Sequence, residues 1–182
     1  MFQYKLINDF LTEDQCKTIL DYSLNNLELR TAKVLVQNEP IIDIHRKSKI
    51  SFNKYEHFVF LNDKVMKLVL ENVSVNGYEI GWNSKGYQFT SYDSGDYYNW
   101  HTDNSNGRYC SVVVQLNDDY EGGDLELMVE DKTLKMGLKM GDAVIFLSNL
   151  NHRVTEVLNG TRYSLVNWLI LSQIDGYKKS II

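Results

Sequence analysis

The chain has 182 residues, 43% hydrophobic and 12% aromatic, which fits one compact, soluble globular domain with its own core and excludes a disordered chain. Its formal net charge of -5 weighs against an extended phosphate-binding surface, so nucleic acid is not the expected partner. Cys16 and Cys110 lie far apart and outside any C-x-x-C spacing, so they read as buried free thiols rather than zinc ligands or a disulfide framework.

In chain order, Met1-Phe2-Gln3-Tyr4-Lys5 lacks the charged-then-apolar pattern of a signal peptide, and no apolar run reaches membrane-spanning length. A cytoplasmic protein with no membrane contact is expected. The N-terminal third reads as the more helical part. Thr12 caps a helix over about 13 to 26, with Gln15 completing a capping box and Cys16, Ile19 and Leu20 on one face. A basic cluster follows, His45-Arg46-Lys47-Ser48-Lys49 with Lys54. Such runs are usually solvated loop surface; the alternative is substrate contact through Arg46, which favours an acidic peptide or a nucleic-acid strand. A second helix is predicted from Asn62 or Asp63 to about Val73, with Val65, Met66, Val69 and Leu70 at helical spacing. The aromatic segment from Gly77 to Asn83 reads as strand-and-turn core packing, with a substrate-rim role for Trp82 as the alternative.

From Tyr87 the pattern changes to short extended runs punctuated by Gly, Asn and Asp. They are Tyr87 to Tyr92, Cys110 to Leu116, Leu125 to Val129, Ala143 to Leu147, Val154 to Leu158 and Tyr163 to Leu171. Val112, Val113 and Val114 are consecutive and apolar, so that strand is expected to be covered on both faces. The fold class predicted is α+β, a jelly roll backed by N-terminal helices. Helical support is placed at about 1–75 and the roll at about 87–171, within a single domain 1–182. Gly122-Gly123 has acidic neighbours and no helix start behind it, so it reads as a tight inter-strand turn rather than a phosphate cradle. The tail from Gly176 to Ile182 is taken as a peripheral extension.

The chemistry concentrates in three spaced signals: His101-Thr102-Asp103, His152 about fifty positions later, and Arg162 ten residues beyond. If residues 99 to 103 are extended, the period of two places His101 and Asp103 on one face with Thr102 turned away. His152 follows the turn-like Ser148-Asn149-Leu150-Asn151 and supplies a second imidazole from another strand. Two imidazoles and one carboxylate bind one face of a ferrous ion and leave the other open. A strand from Arg162 to Trp168 puts Arg162, Ser164, Val166 and Trp168 on one face, where a guanidinium and a hydroxyl can hold a carboxylate. No Ser-His-Asp or Cys-His grouping stands out among His45, His57, His101 and His152, so no catalytic residue is expected beyond those that hold a metal and a carboxylate ligand.

The stretch from Gln88 to Asp103, then Leu116 to Leu125, Gly141 to Phe146, His152-Arg153-Val154 and Gly160 to Trp168 together resemble the prolyl 4-hydroxylase group of iron(II)/2-oxoglutarate dioxygenases, over about residues 87 to 170. Phe10-Leu11 and the helix after it look like the family's opening. The resemblance implies a double-stranded β-helix of the cupin-like kind, with Fe(II) held by His101, Asp103 and His152. It implies O2 and 2-oxoglutarate as co-substrates, the latter held by Arg162, Ser164 and Tyr92, with Trp168 as a pocket wall and ascorbate as a stimulant. Members resembling collagen prolyl hydroxylases carry Lys where this chain has Arg162, so the chain looks more like the oxygen-sensing and bacterial hydroxylases. The expected activity is hydroxylation of a prolyl residue in a peptide or protein with release of succinate and CO2. One alternative keeps the chemistry on a free amino acid, small metabolite or nucleobase; another is a non-catalytic metal- and 2-oxoglutarate-binding module. No feature of the sequence specifies an oligomeric state.

Overall fold

A computed structural model of the chain describes residues 2–36, 39–41 and 44–173. Its elements run β1 (Tyr4–Ile7), α1 (Glu13–Asn26), β2 (Arg30–Thr31), β3 (Val34–Val36), β4 (Glu39–Ile41), β5 (Arg46–Lys47) and β6 (Lys49–Asn53). A 3-10 turn, Tyr55–Phe58, leads into α2 (Val59–Asn72), followed by β7 (Tyr78–Trp82), β8 (Tyr87–Asp93), β9 (Tyr97–His101) and β10 (Arg108–Gln115). The remainder is β11 (Glu121–Gly122), β12 (Leu125–Val129), β13 (Lys132–Lys135), β14 (Ala143–Leu147), β15 (His152–Val154), β16 (Val157–Asn159) and β17 (Thr161–Gln173). The tail from Gly176 to Ile182 lies outside the described residues.

The capping box closes as the sequence predicts: the Gln15 N–H donates to Thr12 Oγ1 at 3.2 Å and the Thr12 N–H to Gln15 Oε1 at 3.1 Å. One face of α1 then buries Cys16, Ile19 and Ser23. Helix α2 starts three or four residues before the predicted boundary because the 3-10 turn feeds directly into it. It turns Leu61, Val65, Leu68 and Val69 inward and leaves Leu70 in solvent. The first third is not only helical: β1 pairs with β14 and β6 with β8, so N-terminal strands extend the main sheet on both sides.

That sheet has the antiparallel order β1-β14-β10-β17-β8-β6-β2, with β7 beside the distal half of β17. A second sheet runs β13-β12-β15-β9-β5, and the two form the jelly roll. Strand β10 shows why its apolar run is unbroken. Cys110, Val112 and Val114 join the cluster under α1 and α2, whereas Val113 joins the cluster between the sheets. In β14, Ala143 and Ile145 face the helices and Val144 and Phe146 face inward. Each fully buried Ile or Leu in these layers contributes roughly 1.5–3 kcal/mol of transfer free energy. Both cysteines are free and buried, and burial pushes their thiols up, to about 11 for Cys16 and about 12 for Cys110. The run Val154 to Leu158, expected as one strand, is two: β15 in the second sheet and β16 paired with β11. Among the described residues no helix is long and apolar enough to cross a membrane.

Gly141 locks α1 to the sheet, since its carbonyl accepts from the Leu11 N–H at 2.9 Å and its N–H donates to Gln115 O at 2.9 Å. Its φ is 88°, and a Cβ there would collide with the Leu11 carbonyl oxygen. Gly107, at φ 72°, has open space where its Cβ would sit. Gly141→Ala is therefore expected to cost roughly 2–4 kcal/mol and Gly107→Ala only about 1 kcal/mol, compared by chemical denaturation; equal losses would refute the close-approach argument.

Candidate active site

Strand β9 ends at His101 and β15 begins at His152, and the antiparallel pairing sets these two residues opposite each other. The extended stretch expected to reach residue 103 stops at His101; Asp103 sits two residues beyond, where its N–H donates to Ser148 O at 2.7 Å. The predicted outcome for the side chains still holds, with Thr102 exposed and Asp103 buried. His101 Nδ1 lies 2.8 Å from Asn99 O and His152 Nδ1 lies 2.9 Å from Leu150 O. A carbonyl only accepts, so each Nδ1 carries a proton, and the neutral ring of this tautomer presents its lone pair at Nε2. Those Nε2 atoms face Asp103, at 3.4 Å from Oδ2 for His152 and 3.9 Å from Oδ1 for His101. One ligand atom from each of the three residues lies within 4.8 Å of the others.

Burial, reinforced by His152 alongside, pushes the His101 imidazole down to about 3, so it is neutral at ordinary pH. Burial alone would push Asp103 up, but the adjacent His152 and His101 and the hydrogen bonds it accepts outweigh it and hold the carboxyl below the usual range. Ser111 Oγ donates to Asp103 Oδ2 at 2.8 Å and lies 3.0 Å from Ser148 Oγ, fixing the carboxylate from below. A pair of imidazoles with one oriented carboxylate fits Fe(II).

Arg162 lies across the β8–β17 pair from Tyr92, with only 1% of its surface exposed. Its Nη1 donates to Ser164 Oγ at 3.1 Å, its guanidinium lies 5.5 Å from the Tyr92 ring centre, and Nε has no partner. Among the described residues no acid forms an ion pair with it. A buried guanidinium with spare donors calls for an anion. The strand is clamped on either side of Arg162 by Asn117, which donates to Thr161 O and accepts from the Tyr163 N–H, both at 2.7 Å. Gly123, at φ 59°, leaves space for the Arg162 stem, since a Cβ would stand 3.1 Å from Arg162 Cδ. Gly122-Gly123 thus serves the junction between β11 and β12, as read from the sequence.

One cavity of about 1030 Å³ is lined by His101, Asp103, His152, Arg162, Ser164, Val166, Trp168 and Tyr92. The period of two along β17 therefore delivers its four predicted residues to one wall. Arg46 also lines it, which corrects the solvated-loop reading of that residue. It is 9% exposed, donates from Nε to Ser48 Oγ at 2.8 Å, and sits 4.5 Å above the Tyr98 ring. Trp82 is not a lining residue. Register opposite Leu169 places it in the helix-side cluster, with its ring 4.8 Å from Tyr55 and 6.2 Å from Tyr87. Sequence reasoning missed Tyr98, stacked on His101 at 3.5 Å, and Arg108, 3.7 Å over the Trp168 ring. It also missed Ser111 and Asn117. A serine inside the apolar run Cys110 to Val114 was the available signal.

The profile of the 2OG-Fe(II) oxygenase superfamily matches residues 87–170, the segment that carries every one of these donors except Arg46. Over this segment the chain is similar to that superfamily. Among its relatives, a PKHD-type hydroxylase from Prochlorococcus marinus is 30% identical over 134 residues, 70% of this chain and 58% of that protein. Another PKHD-type hydroxylase, from a Picosynechococcus species, is 36% identical over 100 residues, 52% of this chain and 46% of that protein. The chain thus spans less than two thirds of the length of these curated relatives. The fold is shared with a Trichoplax adhaerens prolyl hydroxylase solved with a hypoxia inducible factor oxygen degradation domain peptide fragment (TM-score 0.78, 23% identity, 92% of this chain and 83% of that one). It is also shared with a Pseudomonas putida prolyl-4-hydroxylase (TM-score 0.69, 19% identity, 93% of each chain). Members of the superfamily take Fe(II), 2-oxoglutarate and O2.

Asp103→Ala and His152→Ala each remove one donor and are expected to abolish stoichiometric Fe(II) retention, read by metal analysis after gel filtration. One iron per chain in either variant would reject that residue as a ligand. Asn117→Ala is expected to weaken 2-oxoglutarate binding by about tenfold with metal content unchanged, measured by calorimetry; unaltered affinity would show that the clamp does not position Arg162.

Proposed function

We propose that this chain is an Fe(II)- and 2-oxoglutarate-dependent dioxygenase that hydroxylates a prolyl residue of a peptide or protein, releasing succinate and CO2. The observation that carries the reading is the meeting, in one cavity, of a His-Asp-His donor set with a buried guanidinium that pairs with no acid among the described residues. Bound Fe(II) would couple oxidative decarboxylation of 2-oxoglutarate to hydroxylation of a substrate C–H bond.

The chain's own residues bind and orient. His101, Asp103 and His152 would hold the metal, and Ser111 keeps the Asp103 carboxylate turned toward it. Arg162 would take the distal carboxylate of 2-oxoglutarate through its forked donors, with the Ser164 hydroxyl beside it and Tyr92 as a further hydrogen-bond partner. Trp168 would serve as a wall of the same cavity. The whole chain is read as one such domain, with ascorbate as a stimulant of turnover.

The prolyl substrate is supported by the relatives' naming as PKHD-type hydroxylases and by the peptide complex of the Trichoplax neighbour. The cavity volume of about 1030 Å³ also stands at the upper end of small-molecule sites, leaving room for a peptide segment beside 2-oxoglutarate.

The deciding assay is succinate formation from 2-oxoglutarate with Fe(II) in air, with and without a pool of proline-containing peptides, against the His101→Ala variant. Succinate above that background, increased by the peptides, is the expected result. No succinate in any condition would favour a binding-only module, and succinate unaffected by peptides a small substrate. In the same assay Arg162→Ala is expected to raise the half-saturating 2-oxoglutarate concentration roughly 10- to 100-fold, and Arg162→Lys less, because lysine keeps the charge and loses the fork. An unchanged requirement would remove Arg162 from the co-substrate site.

A further inference from the structure

The cavity carries more positive charge than the co-substrate accounts for. Among its lining residues Arg30, Lys33, Arg46, Lys85, Arg108 and Arg162 are cationic, whereas Glu28 and Asp103 are the acids, in a chain whose net charge is -5. Glu28 is taken up by Arg30 at 2.7 Å. With the site filled as proposed, the charges of Fe(II) and Arg162 are balanced by Asp103 and the 2-oxoglutarate dianion. Arg46, Arg108, Lys33 and Lys85 remain. None of the four forms an ion pair among the described residues.

Two of them are built into the wall. The Arg46 guanidinium lies over Tyr98 at 4.5 Å with Nε anchored on Ser48 Oγ, and Arg108 lies over Trp168 at 3.7 Å. A guanidinium laid on an aromatic face is oriented before any ligand arrives, and its terminal N–H groups are directed along its plane, where a carboxylate accepts two of them at once. Tyr98 in turn stacks on His101 at 3.5 Å, so this cation borders the metal-donor cluster. Leaving such a charge desolvated and unpaired is costly, and an anionic ligand removes that cost.

We propose that the substrate is an acidic peptide segment whose Asp or Glu side chains pair with Arg46 and Arg108, while the exposed Lys33 and Lys85 attract it to the cavity. The inference rests on the dioxygenase reading for the place of the reacting residue, and on the charge layout for the chemistry beside it. A nucleic-acid strand fits less well, because these cations converge inside a cavity instead of tracking a backbone, and the rest of the surface is net acidic.

The test is fluorescence anisotropy on the Fe(II)- and 2-oxoglutarate-loaded protein under anaerobic conditions, which prevents turnover. Labelled proline-containing peptides are used in matched pairs, one with flanking Asp and Glu, the other with Asn and Gln. The acidic member is expected to bind about tenfold tighter, with the advantage shrinking as salt is raised. Arg46→Gln and Arg108→Gln should each reduce the preference several-fold. Lys85→Glu, at an exposed site where folding is not at stake, should reduce it too. Equal affinity within a pair, a preference untouched by all three substitutions, or tighter binding of a labelled single-stranded oligonucleotide would overturn the proposal. A parallel succinate assay separates the two readings. Turnover with no charge preference removes the acidic-peptide inference and leaves the dioxygenase, whereas charge-selective binding without succinate keeps the acidic-ligand site and removes the dioxygenase.

Discussion

The pairing of β15 with β9 is the contact on which the centre of the molecule depends. It sets His152 opposite His101, and with the loop after β9 it brings three donors from positions 101, 103 and 152 to within 4.8 Å. Neither strand could hold this geometry alone, since each is short and gains its direction from the ladder. The backbone carbonyls of Asn99 and Leu150, two residues before each histidine, then fix both tautomers in the same sense. Local chain geometry thus prepares the ring nitrogens, and sheet pairing makes them converge.

The polar interior is costly and is held by a small number of bonds. Ser111, Gln115, Asn117, Asp103 and Arg162 are all buried, and each would cost about 1–3 kcal/mol if left unsatisfied. Ser111 commits its hydroxyl to Asp103, while Gln115 donates to the carbonyls of Asn117 and Tyr163, and Asn117 bridges Thr161 and Tyr163. The network runs along the metal-donor cluster and the strand that carries Arg162, so both halves of the site sit on one rigid frame. Arg162 Nε is left without a partner inside that frame, a deficit that fits a site completed by its ligand.

The helices act at a distance from this chemistry. They cover the outer face of the main sheet with Ile19, Leu61, Val65 and Val69 and leave its inner face to the cavity. Alternation along β10, β14 and β17 divides each strand between these two environments, apolar toward the helices and mixed toward the cavity. A helix-backed sheet facing the roll gives side chains such as Arg162 and Trp168 fixed positions on the cavity wall.

The sequence by itself determined the features that repeat over a few residues. The capping box at Thr12, the two-sided burial of Val112 to Val114, and the shared face of Arg162, Ser164, Val166 and Trp168 follow from helical or strand period, and the spacing of His101, Asp103 and His152 named the three residues whose ligand atoms meet. Only the tertiary structure decided which distant segments meet. It drew Arg46 out of an apparently solvated basic run onto Tyr98, turned Trp82 into the aromatic cluster under the helices, split the run after His152 between two sheets, and placed Asn117 astride Arg162. The reason is that strand period specifies which face a side chain takes, whereas the partner on that face depends on ladder register and loop closure between residues far apart in the chain.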